Sequence, residues 1–158
     1  TQTGDLKGAA EQFEKVLRLD PRHVNAHYNL AVLLMNDDQH QQAIAHLQAV
    51  SEINPEDLGA RSLLARLLAS SPHLEVRDGG RALKIAQLLY ETTGAVEHGA
   101  LVALALAELG RCSEAAEWQR RILTAAEQRG VRPEQLATLK ASLGQYEKGP
   151  PCRPGQIP

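Results

Sequence analysis

The sequence predicts an all-α protein made of repeated helix pairs, on three observations. Leu (24 residues) and Ala (23) make up about 30% of the 158 residues, whereas Phe, Tyr and Trp together number five. That balance favours helices, for which Ala and Leu are strong formers, over sheets, which draw on β-branched and aromatic side chains. Small and large apolar residues recur at an interval of 34 positions, the sign of a stacked-repeat architecture. Prolines fall at the edges of these periodic stretches and not inside them, where they stop one helix before the next begins.

The first element is a single helix over 5–19, within GDLKGAAEQFEKVLRLDP (Gly4 to Pro21). It aligns with DQHQQAIAHLQAVSEINP (Asp38 to Pro55): Ala9 falls on Ala43, Phe13 on Leu47, Val16 on Val50 and Pro21 on Pro55, each 34 residues apart. Ala82 and Ala115 occupy the same slot further on, so the steps from Ala9 are 34, 39 and 33. A second pattern alternates with the first: Leu30, Ala31, Leu34, then Leu64, Ala65, Leu68, then Val102, Ala103, Leu106. Each triplet is one stripe of a helix, with Ala allowing a neighbouring helix close approach. The predicted helices are therefore 23–36 with 39–53, 56–70 with 78–92, and 95–109 with 112–128.

Between 70 and 80, SSPHLEVRDGG is a predicted loop insertion, with Asp78 as N-cap of the following helix and Gly94 at its C-terminus. A last helix within 131–148 starts at Pro133 and carries Leu136, Leu139, Leu143 and Tyr146 on one stripe, as a solvating cap does. The segment 149–158, GPPCRPGQIP, has four prolines and two glycines and is expected to be extended or disordered, with Cys152 exposed. The two cysteines, forty residues apart, are not expected to form a disulfide framework, so the fold should rest on its core.

Two amphipathic helices per 34 residues, ended by Asp-Pro or Asn-Pro, resemble the tetratricopeptide repeat (TPR) family. The resemblance implies an α-solenoid, a right-handed superhelix of antiparallel helix pairs, with a half-repeat at 1–21, repeats at 22–55, 56–94 and 95–128, and a capping helix. The slot where that family often has Trp holds His27, Arg61 and Gly99 here. The resemblance further implies that the first helix of each pair lines a concave groove for a peptide or partner helix. Carried onto this sequence, the groove residues are Asn25, Tyr28, Asn29, Val32 and Asn36, then Ser62, Leu63 and Arg66, then Leu101 and Leu104. Asn29 matches the slot of an asparagine ladder in the superhelix of O-linked N-acetylglucosamine transferases, but its equivalents are Leu63 and Leu101. A carboxylate clamp needs a lysine that the pattern Asn29, Arg66 does not supply. The second half, ending in LKASLGQYEKGPPCR, is similar to the C-terminal TPR segments of large bacterial multidomain proteins.

Seventeen basic and nineteen acidic residues give a net charge of −2, which offers no footprint for nucleic acid. The longest apolar run, Ala100 to Ala107, is eight residues, far below the ~20 that a membrane helix needs. No phosphate loop, HExxH or paired CxxC occurs. His23 and His27 have i, i+4 spacing, yet packing and surface positions are their ordinary reading; His40 lies in the polar turn Asn36-Asp37-Asp38-Gln39-His40, whose ordinary reading is a solvated turn between helices and not a cation site, and His46, His73 and His98 have no acid and nucleophile grouped around them. No enzyme, metal or cofactor is expected.

The expected function is a protein-interaction scaffold that binds a peptide or partner helix. The alternatives are an accessory domain of a larger enzyme such as a glycosyltransferase, or a self-assembly module that dimerises through the unpartnered helix at 5–19. Because the chain opens midway through a repeat, it is expected to be a fragment of a longer protein. A cytoplasmic setting is slightly favoured.

Overall fold

The computed structural model describes the backbone of residues 2–153 and the side chains of residues 7–153. Leu6, part of the predicted apolar face of the first helix, and residues 154–158 of the tail lie outside these bounds. Among the described residues the chain is all-α, as its composition predicts: α1 (Gln2–Leu19), α2 (Val24–Asn36), α3 (His40–Ile53), α4 (Leu58–Ser70), α5 (Gly79–Thr93), α6 (Val96–Glu108), α7 (Cys112–Gln128) and α8 (Pro133–Glu147), with a short 3-10 helix at Leu74–Val76. Two compact units are present, Thr1–Leu64 and Ala65–Pro158, and the division falls inside α4.

In the first unit α2 packs along α3, and α1 lies against α2. The interior face of α2 is Ala26, Leu30, Ala31 and Leu34, and that of α3 is Ala43, Ile44, Leu47 and Val50. Those spacings place every member on one side of its helix, and the alanines, fully buried at positions 31 and 43, set a close approach. Each buried Leu, Ile or Val stabilises by about 1.5–3 kcal/mol relative to exposure. His23 starts α2 by accepting a hydrogen bond at Nδ1 from the Ala26 N–H (3.1 Å), and Asp57 does the same for the Ala60 N–H at the start of α4 (2.9 Å). None of the described side chains of α1 is buried, and Leu19 is 89% exposed.

In the second unit α6 packs against both α5 and α7, and α7 against α8. Being covered on two sides, α6 is apolar almost all round, with Leu101, Val102, Ala103, Ala105, Leu106 and Ala107 all buried. Gly99 on α6 faces Ile122 and Tyr90, and its carbonyl accepts a hydrogen bond from the Trp118 indole N–H at 2.9 Å. The bulk missing from the Gly99 slot is thus supplied by side chains of the flanking helices. Gln119, 1% exposed on α7, donates its amide to the Leu139 carbonyl of α8 (3.0 Å), while its own Oε1 has no partner among the described residues.

The predicted loop at 70–80 is more ordered than its Pro and Gly content suggests. It contains the 3-10 turn, and Arg77 ties it down, donating to the Ser71 carbonyl and to the Glu108 carboxylate (2.8 Å). Asp78 caps α5 by accepting from the Arg81 N–H, and Gly94 ends that helix in the left-handed conformation at φ +60.

Beyond α8 the structure differs from the exposed tail expected from the sequence. Gly149, at φ +81, reverses the chain, and Cys152 returns to the start of α7, where it forms a disulfide with Cys112. Cys152 is 1% exposed and Cys112 6%. Prolines and glycines correctly forbid a helix here, but they leave a short segment free to fold back across its neighbours.

Candidate functional site

Residues 25, 29, 32 and 36 follow the i, i+4, i+7, i+11 stripe of α2, so Asn25, Asn29, Val32 and Asn36 share one side of the helix. The three asparagines are exposed and Val32 is half-buried. Tyr28 leans from this side toward α4: a β-carbon on Gly59 would stand 3.8 Å from both Cε2 and the hydroxyl of Tyr28. The ring thus lies within contact range of position 59 and is half-buried, while Asn25 and Asn29 beside it are exposed. Ser62 and Leu63, also half-buried, follow on α4 within the first unit. The structure therefore brings Tyr28 to the first turn of α4 with the asparagine row beside it.

The remaining residues expected in a groove belong to the second unit. Arg66 is exposed and Leu104 half-buried. Leu101, at 2% exposed, is part of the interior and offers no surface to a ligand. Slot-by-slot transfer from a repeat pattern misplaces it because α6 is flanked by helices on two sides.

Two features escaped the sequence reading. The first is a hollow of about 550 Å³ between α1 and the α2–α3 turn, with Leu30, Leu33 and Leu34 as its floor and Lys7, Glu11, Glu14 and Asp37 among its rim. The second is a histidine pair. His27 and His46, on α2 and α3, hold their Nδ1 atoms 2.8 Å apart, and His27 Nε2 lies 3.1 Å from the Pro21 carbonyl. A carbonyl only accepts, so His27 carries its proton on Nε2 and its Nδ1 is bare. The proton between the rings therefore sits on His46 Nδ1, leaving His46 Nε2 bare. Burial and the neighbouring His27 push the His46 pKa below the usual histidine range, against a smaller opposing pull from Glu14. The only sequence signal was that His27 sits in a packing slot.

Among the described residues, no helix is long and apolar enough to cross a membrane. The family model of the tetratricopeptide repeat matches residues 1–67. Comparison with curated proteins finds no match. Residues 1–67, which hold α1 to α3 and most of α4, carry a tetratricopeptide-type motif, and helical repeats of this type generally serve as non-catalytic scaffolds for protein–protein interaction.

Proposed function

We propose that the side of α2 bearing Asn25, Tyr28, Asn29, Val32 and Asn36, with Ser62 and Leu63 of α4, binds an extended peptide or a partner helix. The observation that carries this reading is the Tyr28 ring, half-buried beside Gly59 in the first turn of α4 and flanked by the exposed Asn25 and Asn29. A half-buried tyrosine loses little further freedom on binding, and asparagine amides both donate and accept, as a peptide backbone requires. Val32 and Leu63 add apolar contact. Residues 1–57 hold 4 basic and 9 acidic side chains, a net −5, which favours a basic or neutral peptide over an acidic one.

The test is a displayed random peptide library panned on the full chain and on Tyr28→Ala/Asn29→Ala, both checked for helicity by circular dichroism. Peptides enriched on the first and weakened on the second by about 30-fold or more support the site, since an aromatic anchor contributes about 2 kcal/mol or more. Equal enrichment on both places binding elsewhere.

A second reading is self-association through α1, favoured by the absence of any buried side chain among its described residues. Solution mass would then rise toward a dimer with concentration, and Phe13→Glu would abolish the rise. A mass that stays monomeric at every concentration excludes it.

A further inference from the structure

The strongest unassigned feature is the segment that follows α8. Gly149 turns it, the Gln145 side-chain amide donates to the Arg153 carbonyl (3.4 Å), and the Cys152 sulfur reaches Cys112 beside the Ala107 carbonyl (3.8 Å). The strap lies over the turn between α6 and α7, and its first residues, Gly149 and Pro150, line a cleft together with Tyr146, which is 5% exposed. Both cysteines of the chain are consumed, and both sulfurs are shielded. That cleft of about 470 Å³, lined in part by Cys112, Ser113, Glu117, Arg120, Tyr146 and Pro150, runs beside the junction.

We propose that residues 149–153 form a redox-closed strap, shut by thiol–disulfide exchange, and that the chain reaches its finished state in an oxidising compartment. Structural disulfides persist where thiols are kept oxidised and are rare where glutathione keeps them reduced. Cys112, the first residue of α7, is held in place by its helix before the strap closes, so it is the attacking group. Its thiolate attacks an external disulfide, forming a mixed disulfide and releasing one thiolate of the oxidant. Cys152, delivered by the turn at Gly149, then attacks the Cys112 sulfur as a thiolate, closing the bridge and releasing the second thiolate. Two electrons pass from the two cysteines to the oxidant, which leaves as two thiols carrying the two protons lost. Opening is the reverse exchange with a dithiol. It frees the strap and uncovers the α6–α7 turn.

The experiment uses the full chain, reduced and then equilibrated in buffers of oxidised and reduced glutathione, with Cys152→Ser as the open form. Support requires that the oxidised chain, free of bridges between chains, be lighter by two hydrogens, with no thiol left to alkylate. It also requires that hydrogen exchange at residues 133–153 be slower than in Cys152→Ser or in the dithiothreitol-treated chain. The unfolding equilibrium constant of the second unit should be about 30- to 700-fold larger when the bridge is open, the range for a loop of this length. Two free thiols after equilibration, bridges between chains, or equal exchange and stability in the open and closed forms would each overturn the proposal.

Discussion

Gly99→Ala separates steric exclusion from helix propensity in the second unit. In an open helix position this change stabilises by about 0.5–1 kcal/mol, because Ala loses less backbone entropy than Gly. At position 99 the new β-carbon would stand 2.2 Å from Ile122 Cδ1, 2.8 Å from Ile122 Cγ1 and 3.1 Å from Tyr90 Cε2. Carbon atoms prefer about 3.5–4.0 Å, so the first overlap exceeds 1 Å on the order of a bond length. Ile122 is 2% exposed and packs with Tyr90 and Trp118, and the Trp118 hydrogen bond to the Gly99 carbonyl resists a shift of α6. Overpacking of this kind costs about 1–3 kcal/mol, which outweighs the propensity gain and leaves a net loss of about 1–2 kcal/mol. Ile122→Val removes Cδ1 and by itself costs about 0.5–1.5 kcal/mol. In the Gly99→Ala background the same deletion relieves the worst overlap, so its cost should vanish or change sign, a coupling of about 1 kcal/mol. Urea unfolding followed by the fluorescence of Trp118, the single tryptophan of the chain and part of this cluster, reads the effect where it occurs. Stabilisation by Gly99→Ala, or additivity of the two changes within about 0.3 kcal/mol, would refute the reasoning.

Arg77→Met should destabilise by about 3–5 kcal/mol, because it leaves the Glu108 carboxylate, 10% exposed, without its guanidinium; Arg77→Met/Glu108→Leu should recover most of that loss, as measured by thermal unfolding. The lowered pKa of His46 makes the folded state reluctant to take a proton that the unfolded chain accepts near 6.5. Its stabilising contribution is therefore complete above that value and lost as pH falls through the lower folded pKa, so the urea midpoint should drop as pH falls below about 6.5. Glu14→Gln should enlarge the drop, and His46→Gln should flatten it. Burial pushes the Tyr146 phenol from 10.0 up to about 12, with a smaller opposing effect from the Ser142 hydrogen bond. That contribution is present below pH 10 and lost as pH rises toward about 12; tyrosinate absorbance of the folded chain should lag that of the denatured chain in this interval, and Tyr146→Phe should shrink the lag.

The helical class was open to reading because it depends on local and periodic properties. Ala and Leu content, the 34-residue interval, Asp78 ahead of α5 and Gly94 behind it each report on a few neighbouring residues. What escaped depends on which element meets which. His27 and His46 lie 19 residues apart on different helices, and helical periodicity says which side each occupies but not what faces it. Cys112 and Cys152 are 40 apart, and the Pro-rich tail advertises only that the helix has stopped. Leu101 fits the groove slot of its repeat, yet the surrounding run of buried residues marked α6 as a helix covered on two sides. Gly99 was visible as a departure from the repeat pattern, and only the contact between α6 and α7 shows that Trp118 and Ile122 compensate for it.

The buried amide of Gln119 does something that the apolar contacts around it do not. Leu136, Leu139 and Leu143 would make nearly equivalent contacts if α8 slid along α7 by a turn, since leucine stripes discriminate poorly between offsets. A primary amide sealed from water must find an acceptor, and it finds the Leu139 carbonyl at 3.0 Å. An offset of less than a turn would strand the donor at a cost of about 1–3 kcal/mol, and a full-turn slide would break the Arg120–Glu147 and Lys140–Glu127 ion pairs between the same two helices. Gln119 thus acts as an alignment key, adding little to how strongly the last helix is held and much to where it is held. Its replacement by leucine would preserve helix content and blur the position of every residue that follows, the strap included.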